Sequence, residues 1–373
     1  MQLSPEQETA LAKVSTWLAA GRKPLFRLFG YAGTGKTTLA RYFAETIEGD
    51  VQFAAFTGKA AQVLRSKGAT NARTIHSLIY RPRGEEEIAD ETTGKTSIAP
   101  TFSLNRQSPV AQSKLIIIDE CSMVDENLGR DLMSFGTPIL VLGDPGQLPP
   151  VSGGGFFTNQ EPDFQLEQIH RQAQDNAIIQ LALAAREGRQ IPLGDYGEVK
   201  VISKKAVTQE MVLNADQVLV GTNKTRRLYN RRLRELKGFS SDYPQAGDKL
   251  VCLRNDPTKG LLNGSLWKVM TSSKETLKPG INLLVTPEDE ERGAAKIKLL
   301  KAQFEDTKSE ISWQLKKRFD DFDFGYALTV HKAQGSQWDN VVLFDESYAF
   351  RDSLDKWLYT AITRAAKHLT IVR

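Results

Sequence analysis

The chain has 373 residues, 40% of them hydrophobic and 25% charged, with a formal net charge of +4. That length exceeds one comfortable hydrophobic core, so two or more domains are expected, and an ordinary globular composition excludes wholesale disorder. No apolar run approaches the roughly 20 residues that span a bilayer, and the N-terminus lacks a signal core, so the expected place of action is the interior of the cell, with no membrane partner. The mild basicity permits a polyanionic partner without arguing for one. Cys121 and Cys252, with four histidines and no close cluster, provide neither a disulfide framework nor a zinc pattern. Cys121 reads as a small buried apolar residue.

In chain order, Ser4-Pro5-Glu6-Gln7 opens a helix: Ser4 caps it, Pro5 takes the first helical position and Gln7 closes a capping box. Leu11, Val14, Trp17 and Leu18 supply its apolar stripe. The run Leu25 to Phe29 then leads into Gly30-Tyr31-Ala32-Gly33-Thr34-Gly35-Lys36-Thr37 and a helix beginning at Thr38. Strand, glycine-rich loop and helix make a nucleotide-phosphate cradle. Gly30, Gly33 and Gly35 let the loop wrap with its N–H groups inward around Thr34, Lys36 reaches the β- and γ-phosphates, and the Thr37 hydroxyl can hold Mg²⁺.

Val51 to Phe56 reads as a second buried strand, ending in Thr57-Gly58-Lys59 at the edge where parallel sheets bind ligands. Residues 80 to 112 leave the sheet pattern: Glu85-Glu86-Glu87, scattered glycines and prolines, and a Thr92-Thr93-Gly94-Lys95 turn whose second arm carries Ile98 and Phe102. A small hairpin and a flexible loop both fit. Leu115 to Ile118 is apolar enough for a sheet covered on both faces, and it ends in Asp119-Glu120. Beside a phosphate loop, Asp119 is placed to hold Mg²⁺ and Glu120 to orient and deprotonate an attacking water. Pro138 to Asp144 repeats the layout, and Gln147 beyond it could contact a γ-phosphate or the water.

A helix over Asn176 to Glu187, a strand over Gln217 to Thr222 and a basic helix with Arg226, Arg227, Arg231, Arg232 and Arg234 begin a second α/β unit. From Gly247 the pattern turns to β, with an Asn263-Gly264 turn signalling a hairpin, so 240 to 324 reads as a small barrel or sheet inserted in that unit. The α/β pattern resumes at Tyr326 to Val330, Val341 to Phe344, Ser353 to Ala365 and Leu369 to Val372.

Taken together, the motifs and their order resemble superfamily 1 helicases, most closely the RecD-like and Dda-like branch that moves 5′ to 3′ on single-stranded DNA. The resemblance covers nearly the whole chain. It implies two RecA-like P-loop domains, 1–79 with 113–171 and 172–239 with 325–373, a pin hairpin in 80–112 and an SH3-like β insertion in 240–324. It makes Gln7 the adenine-reading glutamine, a role that capping alone does not suggest. Lys36 and Thr37 match motif I, Thr57 to Ala61 motif Ia, Asp119-Glu120 motif II and Gly143 to Pro150 motif III. Arg73 to Ser77 matches a DNA-contacting motif through Thr74 and His76. His170-Arg171-Gln172 matches motif IV, Tyr326 to Ser336 motif V and Tyr359 to Ala365 motif VI. Arg171 and Arg364 become the arginines that neutralise transition-state charge, an in-chain arginine-finger arrangement. Thr57, Lys59, Thr329 and His331 become DNA-phosphate contacts from the two domains, Gly335 part of the nucleotide site, and Phe102 a stacking residue on the pin.

The resemblance implies ATP and Mg²⁺ as cofactors, single-stranded and tailed duplex DNA as partners with replication or repair proteins as further ones, and a functional monomer. With Gln7 so close to the first residue, the size resembles a stand-alone phage or prophage helicase without the partner-binding domains of larger relatives. Cys121 and Ala333 stand where the family commonly has Ala and Ser, and the short acidic pin puts duplex separation in more doubt than hydrolysis. A translocase that clears proteins from single strands is therefore the main alternative. A P-loop kinase leaves Arg364 unexplained, and a nucleotide-gated binding module leaves Glu120 unexplained.

Overall fold

The structure is a computed structural model that describes residues 3–89, 96–149, 155–168, 175–256, 258–273, 279–288, 293–305 and 313–373. Ser4 accepts from the Gln7 N–H and the Gln7 side chain accepts from the Ser4 N–H, so the capping box forms and α1 runs Pro5–Ala20. It packs beside a sheet built from β1 (Leu25–Gly30), α2 (Lys36–Glu45), β2 (Val51–Ala55), α3 (Gly58–Ser66), β3 (Arg73–Thr74) and α4 (Ile75–Ile79). After an excursion the unit resumes with β6 (Leu115–Asp119), α5 (Glu126–Met133), β7 (Ile139–Gly143) and β8 (Phe164–Leu166). The order β3-β2-β6-β7-β1-β8 is parallel throughout.

Period-2 geometry sends Leu115 and Ile117 of β6 to the face holding Val14, Phe26 and Leu39, and Ile116 and Ile118 to the face holding Ile75, Leu128 and Phe157. Both faces are covered, which is why this strand reads as an unbroken apolar run. The excursion pairs β4 (Tyr80–Ala89) antiparallel with β5 (Thr96–Leu104), with a register shift between Pro82 and Gly84. Phe102 pairs in register with Pro82, near the root of this ribbon. The expected turn at 92–95 lies outside the described residues.

The second unit comprises α6 (Ala177–Arg186), β9 (Gly194–Asp195), β10 (Val199–Ile202), α7 (Gln209–Leu213), β11 (Gln217–Val220) and α8 (Asn223–Leu236), then β17 (Ala327–Thr329), β18 (Trp338–Phe344), α10 (Leu354–Ile362) and β19 (Ala365–Val372). Its sheet order is β17-β11-β18-β19-β10-β9, parallel except at β9. Between α8 and β17 stands a five-stranded antiparallel sheet: β12 (Lys249–Cys252), β13 (Leu266–Ser272), β14 (Gly280–Pro287) and β15 (Ala295–Leu300), then the short helix α9 (Trp313–Lys317) and β16 (Phe322–Phe324). Leu250, Trp267, Ile281, Leu283, Ile297 and Phe322 fill its core.

A buried ion pair roots this insertion in its host. Arg234 on α8 donates from Nε to Asp248 Oδ1 at 2.9 Å, while Asp248 is fully buried and also accepts from the Tyr326 hydroxyl at 2.9 Å. The guanidinium lies over the Phe324 ring at 4.1 Å from its centroid. Asn263-Gly264 sits in the connection of the antiparallel β12–β13 hairpin. It closes a longer excursion between β12 and β13 that has its own bridge, Asp256 to Leu261, and Gly264 with φ of 88° returns the chain by donating to the Cys252 carbonyl. Leu262 and Asn255 of that excursion press on Gly58, so the insertion touches the first unit.

Candidate active site

The phosphate loop follows β1. Gly33 and Gly35 hold φ of 82° and 79°, a region that favours glycine, and Gly35 launches α2. Lys36 Nζ donates to the Gly30 and Tyr31 carbonyls at 2.5 and 2.9 Å, and the Thr34 hydroxyl donates to the Tyr31 carbonyl. Thr38 stands exposed on the first turn of α2. Gln7 Oε1 completes the cap, and its Nε2 donates to the Thr34 carbonyl of the phosphate loop at 3.2 Å. Thr37 Oγ1 donates to Asp119 Oδ2 at 2.8 Å, and this hydroxyl with its carboxylate forms the hard-oxygen donor set that suits Mg²⁺.

Glu120 has φ of 53°, the only non-glycine among the described residues in the left-handed region. Asp119 Oδ1 accepts its N–H at 2.9 Å, holding the adjacent carboxylates apart in direction. Burial pushes the Glu120 carboxyl above the usual carboxylate range; Arg364 is the main opposing influence, with Asp119 and Asp144 adding to the rise and Lys36 countering it. Arg364 comes from the second unit. It is 5% exposed, anchored by the Thr360 and Ser336 carbonyls at 3.1 Å and by the Thr363 hydroxyl at 3.2 Å. Gln147 is buried beyond β7, with an Oε1 that has no partner among the described residues. Arg171 lies outside the described residues.

The two units meet across this loop. Tyr359 of α10 accepts from the Ala32 N–H at 2.9 Å and donates to Asp144 Oδ2 at 2.6 Å. Leu148 N–H donates to Thr360 Oγ1, and Gln334 Nε2 donates to the Leu148 carbonyl, both at 3.0 Å. The Arg186 guanidinium lies 3.5 Å from the centroid of the Tyr31 ring. None of these contacts is visible to spacing rules: Tyr359 and Arg186 sit in helical patterns indistinguishable from core and solvated positions.

At the neighbouring sheet edge, Thr57 caps α3 by accepting from the Ala60 N–H, and Thr74 caps α4 by accepting from the Ser77 N–H. Thr329 accepts from the Lys332 N–H. Gly335 has φ of 75°, and a Cβ there would meet Ala60 Cβ at 2.9 Å and Thr57 Oγ1 at 3.2 Å, so this second-unit glycine lies against the first-unit loop. Lys59 lies beside Gly264. Phe56, His76, Tyr80 and Phe102 form a chain of rings with successive centroid separations of 6.3, 5.4 and 6.2 Å, ending at a Phe102 that is 52% exposed. His331 packs on Phe350, and burial lowers its pKa.

A profile of the AAA domain family matches residues 2–205, and a UvrD-like helicase C-terminal domain matches 324–372. The chain is 28% identical to the ATP-dependent RecD2 DNA helicase of Deinococcus radiodurans over 97% of its own length and 48% of that protein. It is 30% identical to the ATP-dependent DNA helicase dda of Enterobacteria phage T4 over 43% of its length and 37% of that protein. The chain thus spans about half or less of the length of these two relatives. Among solved structures, a Bacteroides Pif1 bound to single-stranded DNA aligns over the whole chain and 92% of its own, with a TM-score of 0.58 at 17% identity. Pif1 helicase from Candida albicans gives 0.56 at 18%, over 95% of that chain. These likenesses show a shared mixed α/β, two-unit fold.

Proposed function

We propose that this chain, which belongs to the RecD-like helicases of superfamily 1, is an ATP-hydrolysing motor that moves 5′ to 3′ along single-stranded DNA and separates the duplex ahead. The observation that carries this reading is the meeting of two sheet units over one phosphate loop, Tyr359 from one bonding Ala32 and Asp144 of the other. Lys36 would hold the β- and γ-phosphates, and Gln7 the adenine. Thr37 and Asp119 would hold Mg²⁺, whose charge neutralises phosphate oxygens. Glu120 takes the proton of a water aligned with Gln147, and Arg171 and Arg364 neutralise the charge that develops as the γ-phosphate departs. Hydrolysis thereby reports cleft closure.

In this reading Thr57, Lys59, Thr74 and His76 grip DNA from the first unit, Thr329 and His331 from the second, and closing advances the strand. Gly335 keeps the two grips close as well as completing the nucleotide side. The ribbon of β4 and β5 acts as the pin with Phe102 stacking at its root, and the inserted sheet is SH3-like. A monomer acting on tailed duplexes inside the cell, with replication or repair proteins, fits this scheme. The acidic run Glu85-Glu86-Glu87 favours, as a second reading, a translocase that displaces proteins with little unwinding. ATP turnover measured with and without single-stranded DNA tests the motor: a severalfold rise is expected, and no rise rejects it. Strand displacement then separates the two readings.

A further inference from the structure

Asp144 lies directly after β7, and its carboxylate is fully committed: Oδ1 accepts from the Gly146 N–H at 3.0 Å and Oδ2 from the Tyr359 hydroxyl at 2.6 Å. The Asp144 carbonyl accepts from the Gln147 N–H at 3.1 Å. One side chain thus fixes the turn that carries Gln147, and one hydroxyl from the other unit fixes that side chain. The same hydroxyl accepts from Ala32 N–H, inside the phosphate loop. Gly146 makes the approach possible, because a Cβ there would meet the Tyr359 ring at 3.0 Å. Tyr359 is 2% exposed, so water does not compete for these bonds.

We infer that Tyr359 is a positioning residue: its hydroxyl clamps the phosphate loop and the Asp144–Gln147 turn into register only when the second unit is seated, so that Gln147 is aligned with the γ-phosphate in the closed cleft alone. The phenol touches no reacting atom in this scheme. It acts through Asp144 on Gln147 and through Ala32 on the loop. Seating α10 therefore sets the water-orienting amide and the cradle together. The inference rests on the ATP-hydrolysing reading and on no property of the DNA track.

The test is steady-state ATP turnover by the full chain carrying Tyr359→Phe, which keeps the ring and removes one hydroxyl, alongside Asp144→Asn and the double variant. A misaligned but intact site loses kcat and keeps KM, so Tyr359→Phe is expected to lower kcat on the order of tenfold with KM for ATP within about twofold. Because the two groups share the Tyr359–Asp144 hydrogen bond, the double variant loses less than the sum of the two single ones. Gly146→Ala, which forces the turn away from the ring, should give the same split. An unchanged kcat in Tyr359→Phe, a loss confined to KM, or additive losses in the double variant would each overturn the inference. Because basal turnover is the readout, a wild-type chain that DNA fails to stimulate would remove the motor reading while this comparison still decides the role of Tyr359.

Discussion

Glu120 carries two costs at once. Its left-handed backbone is worth about 1–3 kcal/mol of strain in a non-glycine residue, and burial disfavours its charged form. Because its folded pKa lies above the unfolded one, its stabilising contribution is complete below the ordinary carboxylate range and is lost as pH rises through the folded value. Glu120→Gln keeps the backbone strain and removes the charge. It should abolish turnover yet melt at a higher temperature than wild type at neutral pH, with the gap closing in acid; a lower melting temperature at neutral pH contradicts this. As the base must be ionised, wild-type turnover should fail as pH drops through that raised value. Removing the Arg364 charge raises it further, so any activity left in Arg364→Ala should have its acid limb displaced upward. Lys36→Ala should eliminate turnover while single-strand binding stays measurable by fluorescence anisotropy. Lys36, Thr37, Asp119 and Glu120 were legible because each follows a strand at fixed short spacing. Gln7 was half legible, its cap being local and its reach to Thr34 being tertiary. Tyr359 was illegible as a functional residue, since its partners Ala32 and Asp144 lie 327 and 215 positions away.

At the level of elements, the strands that hold the site are the ones whose sequence leaves no alternative: β6 is apolar on both faces because both are covered. The insertion was legible as β, but its attachment was not. Arg234 reads as one more charge on a basic helix, yet it is the buried partner of Asp248. Breaking a buried pair leaves an uncompensated charge, so Asp248→Ala should destabilise the fold by about 3–5 kcal/mol in denaturant unfolding, far more than the near-zero effect of the exposed Arg232–Glu235 pair. Asn263-Gly264 signalled the β12–β13 hairpin but not the length of its connection, since Gly264 supplies positive φ at the end of a long excursion as readily as in a two-residue turn. The β4–β5 ribbon carries its own prediction. Replacing residues 84–101 with a tight turn should spare DNA-stimulated hydrolysis and reduce strand displacement; undiminished displacement would remove the pin role.

Across the whole molecule, the proposed nucleotide edge and the proposed DNA edge would be two sides of one cleft. Gly335 touches Thr57 and Ala60 while Tyr359 touches Ala32 and Asp144, so second-unit residues close in the chain bear on both sides. A hinge movement that separates Tyr359 from Asp144 would therefore also separate the proposed grips around Thr57 and Thr329. Composition could not reveal this, because it depends on which faces of two independently folded sheets meet. Grips made of backbone contacts have two consequences. Affinity for single strands should fall steeply and linearly on a logarithmic salt scale, with little dependence on base sequence. Direction would then be set by which grip loosens on opening, a choice the cleft chemistry leaves symmetric, and 5′ to 3′ is the direction proposed above. Duplexes with a single-stranded tail on the 5′ or the 3′ side, offered separately with ATP, resolve it: the 5′-tailed duplex should be opened and the 3′-tailed one left intact. Preferential opening of the 3′-tailed substrate would reverse the assignment while preserving the motor, whereas opening of neither, with hydrolysis still DNA-stimulated, would favour the protein-displacing translocase.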